Sequence, residues 1–368
     1  MKAAVLTGVD VPLEIRDDIE VAAPGPGEVK IEMHASGVCH SDLSVQNGTV
    51  PLPTPIVLGH EGAGVVAEVG EGVTSVAAGD HVVLSFVPNC GECYTCKRGQ
   101  GYLCEKSAMQ AMGGMLDGTT RLTSGGSPLH QMACLGTFGE VAIVPEISMV
   151  KIPDDVPLEL AALIGCGVLT GVGAALNTAT ILPGDAVAVI GAGGVGLNVI
   201  QGARIAGAEK IIAIDMFDSK LDMAKQFGAT DVVNAGAGDA AGAVAGLTGG
   251  RGVDTAFEVI GLGPTMDQAI NMARPGGEAV LVGVPRLDVM LNINAAFTFL
   301  YLNKTIKGCW YGSSNVKEDV PKLLGLWKDG QLKLEELISR EIEVEQVNEA
   351  FEAMVNGEVA RSVIRHSH

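Results

Sequence analysis

Aromatic residues are scarce in this chain of 368 residues, where Phe, Trp and Tyr together make up 4%. With so few rings and 50 glycines, the composition suits α/β architecture, in which small residues occupy tight strand-to-helix turns. Basic charge is also scarce: 24 Lys and Arg stand against 43 Asp and Glu, a formal net charge of −19. That deficit excludes a nucleic-acid partner, because neutralising phosphates needs clustered cations. The opening Met1–Leu6 is soon interrupted by Gly8 and Asp10, too short for a signal peptide. We find no apolar run of the roughly 18 residues that a membrane span needs, so no membrane partner is expected. Internal repeats and low-complexity tails are missing as well.

What is present is a chain too long for one hydrophobic core, with 47% apolar residues, enough for two domains. Its eight cysteines read as metal ligands rather than disulfides, and the expected location is the cytoplasm. The first 150 residues alternate β-rich stretches (Val29–Ala35, Gly64–Val69, His81–Ser85) with Gly and Pro turns. A Cys-rich loop lies at about 88–106, and 107–136 reads as a long surface excursion. From Pro157 the texture changes. A helical stretch from Leu158 to about Asn177 leads into strands at Ala186–Ile190, Ile211–Asp215, Asp231–Asn234, Asp254–Val259 and Glu278–Val284, separated by helices. Strands alternating with helices at this spacing predict a doubly wound parallel sheet. Amphipathic helices are expected at Lys317–Asp329 and Val344–Asn356.

Gly191-Ala192-Gly193-Gly194-Val195-Gly196 fits G-x-G-x-x-G directly after an apolar strand and before a helix. Gly191 permits the tight turn, Gly193 lets backbone approach a pyrophosphate, and Gly196 lets helix and strand pack closely. Asp215 ends the next strand, 24 residues after Gly191, where an acid would hold the adenosine ribose and repel the 2′-phosphate of NADP. The dinucleotide expected is therefore NAD.

Cys90, Cys93, Cys96 and Cys104 follow C-x2-C-x2-C-x7-C. Four thiolates within fifteen residues can close a tetrahedral structural zinc site, although an iron–sulfur cluster also takes four cysteines. Cys39, His60 and Cys166 form a second, dispersed set. Two Cys plus one His with a fourth position open is a catalytic zinc arrangement. Spacing alone does not show that these three converge.

The segments GVCHSD, GHEGAGVV, the four-Cys loop, GCGVLTGVGAALNTA and GAGGVG occur here in one order. Together they resemble the zinc-containing medium-chain alcohol dehydrogenases, over essentially the whole chain. The resemblance implies a GroES-like β-rich catalytic domain over residues 1–160, with the structural-zinc lobe at about 88–106. It implies a Rossmann NAD-binding domain over 161–312, and a segment 313–368 completing the catalytic domain. It assigns Cys39, His60 and Cys166 to a catalytic zinc and Cys90, Cys93, Cys96 and Cys104 to a structural one, two zinc ions per chain. Ser41 would be the first proton acceptor. Asp42 would orient the ligating imidazole, and Glu61 would lie beside the metal. Asp215 and Lys220 would contact the adenosine ribose, and His40 and Arg361 the pyrophosphate. Gly194, Val195 and Val284 complete the cofactor set. Phe86 and Trp310 would line a substrate channel. The excursion at 107–136, with Asp117–Arg121, resembles the longer-chain dimeric branch, so a homodimer is expected.

The implied reaction moves a hydride between a primary or secondary alcohol, or its aldehyde or ketone, and NAD. One departure concerns the proton: many family members place a histidine where this chain has Ser44. A hydroxyl relays a proton but cannot hold one near neutral pH, so a water chain is the expected exit. His34, His130, His366 and His368 have no supporting constellation and read as structural or disordered. Two other enzyme readings stay open. A thiol-dependent formaldehyde dehydrogenase of the glutathione or mycothiol type is weakened by Ala108, where the glutathione relatives carry a basic residue, and supported by Trp310-Tyr311-Gly312. An enzyme with tightly bound NAD would pass its electrons to an external acceptor. A silent binding protein on the same fold would be expected to lose one of Cys39, His60 and Cys166, and all three are present.

Overall fold

Strand Glu28–Val38 is the spine of the first unit, eleven residues long and buried along most of its length. It pairs antiparallel with Glu61–Val69, Val141–Pro145 and Arg361–Arg365. The register puts both Glu61 and Val363 opposite Gly37, so the strand opening at Glu61 and the strand near the C-terminus flank one position. The structure, a computed structural model, describes residues 1–358 and 360–367, with the side chains of 109–111 outside that description. His368 lies outside the described residues. The first unit comprises Met1–Gly167, Asn315–Asp329 and Leu334–His368; the second comprises Val168–Ser314 and Gly330–Lys333.

A second sheet of the first unit runs, in order, Glu14–Arg16, Ala3–Leu6, Ile56–Val57, Ser127–Gln131, Leu122–Ser124 and Ile19–Val21. Two of its strands correct the reading of 107–136 as a surface excursion. Leu122–Ser124 and Ser127–Gln131 form a hairpin around Gly125-Gly126, both at positive φ, and bury Leu122 and Leu129. Arg121, ahead of the hairpin, donates from Nε and Nη2 to the two Glu28 carboxylate oxygens at 2.7 and 2.6 Å, and from Nη2 to Asp117 at 2.8 Å. Glycines and polar residues hid this tethering, because the hairpin's partners lie far off in sequence.

Leu158–Thr178 corrects the expectation about long apolar runs. It is 21 helical residues, long and apolar enough by composition to span a membrane, yet 89% of its most apolar stretch is buried inside the protein. It starts where Pro157, unable to donate, offers its carbonyl to the Leu160 and Ala161 N–H groups. Two wider π turns, Ile164–Val168 and Ala174–Thr178, interrupt it.

In the second unit six parallel strands run in the order Asp231–Asn234, Lys210–Asp215, Ala186–Ile190, Val253–Glu258, Ala273–Leu281 and Thr305–Gly308. The central strand AVAVI is buried at every residue, as a strand covered on both faces must be. Ile190, Ile212, Ala256 and Ala269 belong to its core. Helices Gly194–Ala206, Asp218–Phe227, Ala240–Leu247 and Gly263–Met272 connect the strands. The fold is thus a β-rich unit plus a doubly wound parallel-sheet unit, the two classes the sequence led us to expect. Strand boundaries differ by a few residues, and Val284 falls beyond its strand, which ends at Leu281. Gly330–Lys333 joins the second unit because the Gln201 side chain brackets the Lys333 backbone at 2.8 and 3.1 Å.

Candidate metal centres and dinucleotide loop

Cys39 follows the spine strand and caps helix His40–Gln46. Asp42, in the first turn, accepts the Cys39 N–H at 2.9 Å through Oδ2. Its other oxygen accepts the Gly59 N–H at 3.2 Å and stands 2.9 Å from His60 Nδ1. One buried carboxylate therefore ties the first ligand's backbone to the second ligand's ring. Cys166 lies in the π turn Ile164–Val168, and the neighbouring Gly165 leaves room for the Leu84 carbonyl. Ligand atoms of Cys39, His60, Glu61 and Cys166, all buried, lie within 4.8 Å of one another. The convergence that spacing could not show is present.

The donor set fits zinc. His60 Nε2 and Glu61 Oε1 are buried without a hydrogen-bond partner among the described residues, an arrangement that costs energy unless a ligand satisfies it. In the metal-free protein the Cys166 thiol, with His60, holds Cys39 well below the ordinary thiol range against the effect of burial. Burial works against a charged His60, but the charge and hydrogen bond of Asp42, joined by Cys39, hold its pKa up at about 10. Two thiolates and one neutral imidazole would balance a 2+ ion. Phe86 packs edge-on against His60, with ring centroids 5.6 Å apart. The Ser41 hydroxyl lies 3.9 Å from Cys39 Sγ. Ser44 sits in the same helix, and its carbonyl accepts the Val50 N–H.

Glu61 Oε2 pairs with the Arg361 guanidinium, both side chains being buried. A side chain at Gly37 would collide with this pair, and one at Gly167 would crowd Arg361. Arg361, expected at the pyrophosphate, is thus engaged beside the metal cluster in this structure. His40 stands exposed at the start of its helix.

Ligand atoms of Cys90, Cys93, Cys96 and Cys104 also lie within 4.8 Å of one another. None of the eight cysteines is in a disulfide. A donor from the Thr95 hydroxyl, with backbone N–H groups, brings the Cys93 thiol down to about 6, whereas burial pushes Cys96 up to about 12. Four sulfurs leave no open position, which suits a structural ion. Ala108 is exposed beyond this lobe.

In the second unit, Gly191 takes φ +100°, and a Cβ there would strike Ile260. A Cβ at Gly196 would overlap the Gly191 carbonyl, so helix and strand meet backbone to backbone. Gly193 has open space around it and caps helix Gly194–Ala206 with no side chain closing that N-terminus. Exposed N–H groups at a helix start suit a pyrophosphate. Asp215 Oδ2 accepts the Ala192 N–H at 2.8 Å, and Oδ1 accepts those of Met216 and Phe217 at 2.8 and 3.2 Å. Lys220 lies with its ammonium 4.9 Å from the centre of the Phe217 ring. Val284 and Trp310 are about half exposed.

Sequence reasoning missed Glu258, which is buried and accepts the N–H groups of Ile260 and Gly261 and the Thr265 hydroxyl. It holds the turn that packs against Gly191. An acid ending an apolar strand was the available signal.

Comparison with known proteins gives a consistent picture. Residues 25–154 match the family model of the alcohol dehydrogenase GroES-like domain, and 194–329 that of the zinc-binding dehydrogenases. An NDMA-dependent alcohol dehydrogenase of Amycolatopsis methanolica is 42% identical over 369 residues, covering 100% of this chain and 99% of the relative. The structure of benzyl alcohol dehydrogenase from Acinetobacter calcoaceticus superposes with a TM-score of 0.93 at 32% identity, covering 100% of this chain and 99% of that one. An alcohol dehydrogenase zinc-binding domain protein of Burkholderia ambifaria gives 0.94 at 36%, with the same coverage.

Proposed function

The chain belongs to the zinc-dependent medium-chain alcohol dehydrogenases, and from that premise we propose that it exchanges a hydride between a primary or secondary alcohol and NAD. It is a zinc-linked oxidoreductase acting on alcohols or aldehydes. The finer reading rests above all on Cys39, His60 and Cys166 converging, with their buried ligand atoms within 4.8 Å of one another.

Cys39, His60 and Cys166 would hold a zinc ion, which would supply a Lewis acid that makes an alcohol hydroxyl easier to deprotonate. Asp42 fixes the ring of His60 so that Nδ1 faces the carboxylate and Nε2 faces the cluster. Ser41, within 3.9 Å of Cys39 Sγ, is the first group in the proton relay, taking the substrate proton as its own hydroxyl proton passes on. Ser44 cannot store that proton, so water carries it onward. Cys90, Cys93, Cys96 and Cys104 would hold a second, structural zinc.

The Gly191–Gly196 turn and the uncapped helix behind it support NAD as the hydride acceptor, with Asp215 and Lys220 toward the adenosine ribose and the Asp215 charge opposing NADP. A second reading keeps NAD bound and sends its electrons to an external acceptor. The name of the NDMA-dependent relative favours it. A thiol-dependent reaction is disfavoured by uncharged Ala108.

Leu287, Met290, Leu300 and Tyr301 are each at least 77% exposed, and Thr305–Gly308 is an edge strand of the parallel sheet. Exposed apolar side chains, and an edge strand with one side open among the described residues, both support assembly as a homodimer. Six of the eight cysteines lie in the two clusters of metal-ligating atoms, a use that suits a reducing compartment, and we place the protein in the cytoplasm.

The decisive experiment offers alcohols of graded length, and formaldehyde with and without low-molecular-weight thiols, with NAD and separately with NDMA. Nicotinamide released on denaturation is measured in parallel. Reduction of added NAD by simple alcohols is expected. Turnover with a thiol adduct alone would overturn the substrate reading; turnover with NDMA alone, beside co-purified nicotinamide, would establish the second reading.

A further inference from the structure

The dipeptide that brings His60 and Glu61 to the metal cluster is gripped by two buried hydroxyls that play no part in the chemistry above. Ser36 Oγ donates to the Glu61 carbonyl at 2.8 Å and lies 2.6 Å from Thr137 Oγ1, and both residues have no exposed surface. Each hydroxyl has one proton to give. With the Ser36 proton on the Glu61 carbonyl, the Thr137 proton goes to Ser36 Oγ at 2.6 Å rather than to the same carbonyl at 3.4 Å. The result is a directed chain from Thr137 through Ser36 to Glu61, in which each bond polarises the next.

Thr137 also donates its backbone N–H to the Gly59 carbonyl at 3.1 Å. It therefore brackets His60, bonding to Gly59 directly and to Glu61 through Ser36. The flanking glycines make this approach possible. A Cβ at Gly59 would stand 2.5 Å from Thr137 Oγ1, and one at Gly62 2.7 Å from Thr137 Cγ2. Thr137 is braced in turn, since its carbonyl accepts from His366 Nε2 at 3.1 Å.

We propose that Ser36 and Thr137 are positioning residues of the metal cluster, fixing the backbone from which His60 and Glu61 reach it. This rests on the zinc reading of Cys39, His60 and Cys166. Residues that orient a ligand from behind typically change metal affinity about 10- to 100-fold when lost.

The test compares wild type with Thr137→Val, Thr137→Ser and Ser36→Ala. Zinc release to a chelator is followed per chain, and the visible spectrum is recorded after cobalt(II) replaces zinc at the cluster. Thr137→Val keeps the shape but not the hydroxyl. It should release one of the two zinc ions about 10-fold faster or more and shift the thiolate-to-cobalt and d–d bands. Thr137→Ser should restore both, and Ser36→Ala should resemble Thr137→Val. A purely structural role would lower Tm while leaving the cobalt spectrum and the release rate unchanged, and that result overturns the proposal. Wild type holding no metal at Cys39, His60 and Cys166 would overturn the zinc reading and this inference with it, a failure visible before any substitution is made.

Discussion

Asp42 Oδ1 stands 2.9 Å from His60 Nδ1, and neither side chain is more than 2% exposed. The contact sets both the ring's orientation and its charge. In the metal-free protein His60 titrates at about 10, so at pH 8 it carries a proton that zinc must displace. Below pH 10 zinc competes with this proton, and apparent affinity rises with pH by up to about tenfold per unit for it, with a further rise wherever the Cys166 thiol must also ionise. Asp42→Asn removes the charge that holds the pKa up. Zinc uptake at pH 8 by this variant should release about one proton fewer per chain, and its apparent affinity should depend less steeply on pH. An indicator-dye titration in weak buffer reads the protons; equal release by both proteins would contradict the assignment.

Cys166→Ser should abolish alcohol oxidation and lower the zinc content by about one ion per chain, leaving the four-cysteine lobe loaded. Metal analysis of the purified variant checks this. A full complement of zinc with retained turnover would remove Cys166 from the ligand set.

Asp215 accepts the Ala192 N–H of the Gly191 turn and those of Met216 and Phe217 just past its own strand, so its removal should do more than relax cofactor choice. Asp215→Ser should raise KM for NAD about tenfold or more, the effect of losing one charge-assisted hydrogen bond, and shift kcat/KM toward NADP. Unchanged kinetics with both dinucleotides would count against NAD binding at this turn.

Arg121 and Glu28 form a two-bonded ion pair with side chains 15% and 10% exposed. Arg121→Leu leaves the carboxylate buried without its cation, and should cost about 3 kcal/mol of stability. Denaturant unfolding of the metal-loaded protein measures this, and a change below about 0.5 kcal/mol would show the tether to be dispensable.

The homodimer proposed above predicts that replacing Met290 and Leu300 together with Asp gives monomers by sedimentation, because charge on an apolar contact opposes its burial. An unaltered dimer would place the interface elsewhere.

The parts of the molecule legible in its sequence are those written in local spacing. Gly191 to Gly196 and Asp215 lie within one βαβ unit, and Cys90 to Cys104 within one loop, so the chain itself brings them together. The catalytic cluster is different in kind. Cys39, His60 and Cys166 meet through sheet register, with Gly37 opposite Glu61, and through a π turn, neither of which spacing reveals. Arg361 was legible as a functional cation, but its engagement with Glu61 depends on Gly37 and Gly167 leaving space for it. Thr137 carried no signal of its own. The glycines on either side of His60-Glu61 were its trace, since they are small because a side chain from elsewhere needs the room.

Cys166 sits in a helical turn that holds one more residue than an α turn does. Each residue in an α-helix advances the chain by about 100° around the axis. Deleting one residue between Leu163 and Cys166 would therefore remove the extra residue and turn the thiol away from its companions. The gene thus contains a short stretch where a three-nucleotide deletion leaves a sound helix and a lost metal, whereas the same deletion in the regular turns ahead of it would disturb packing first.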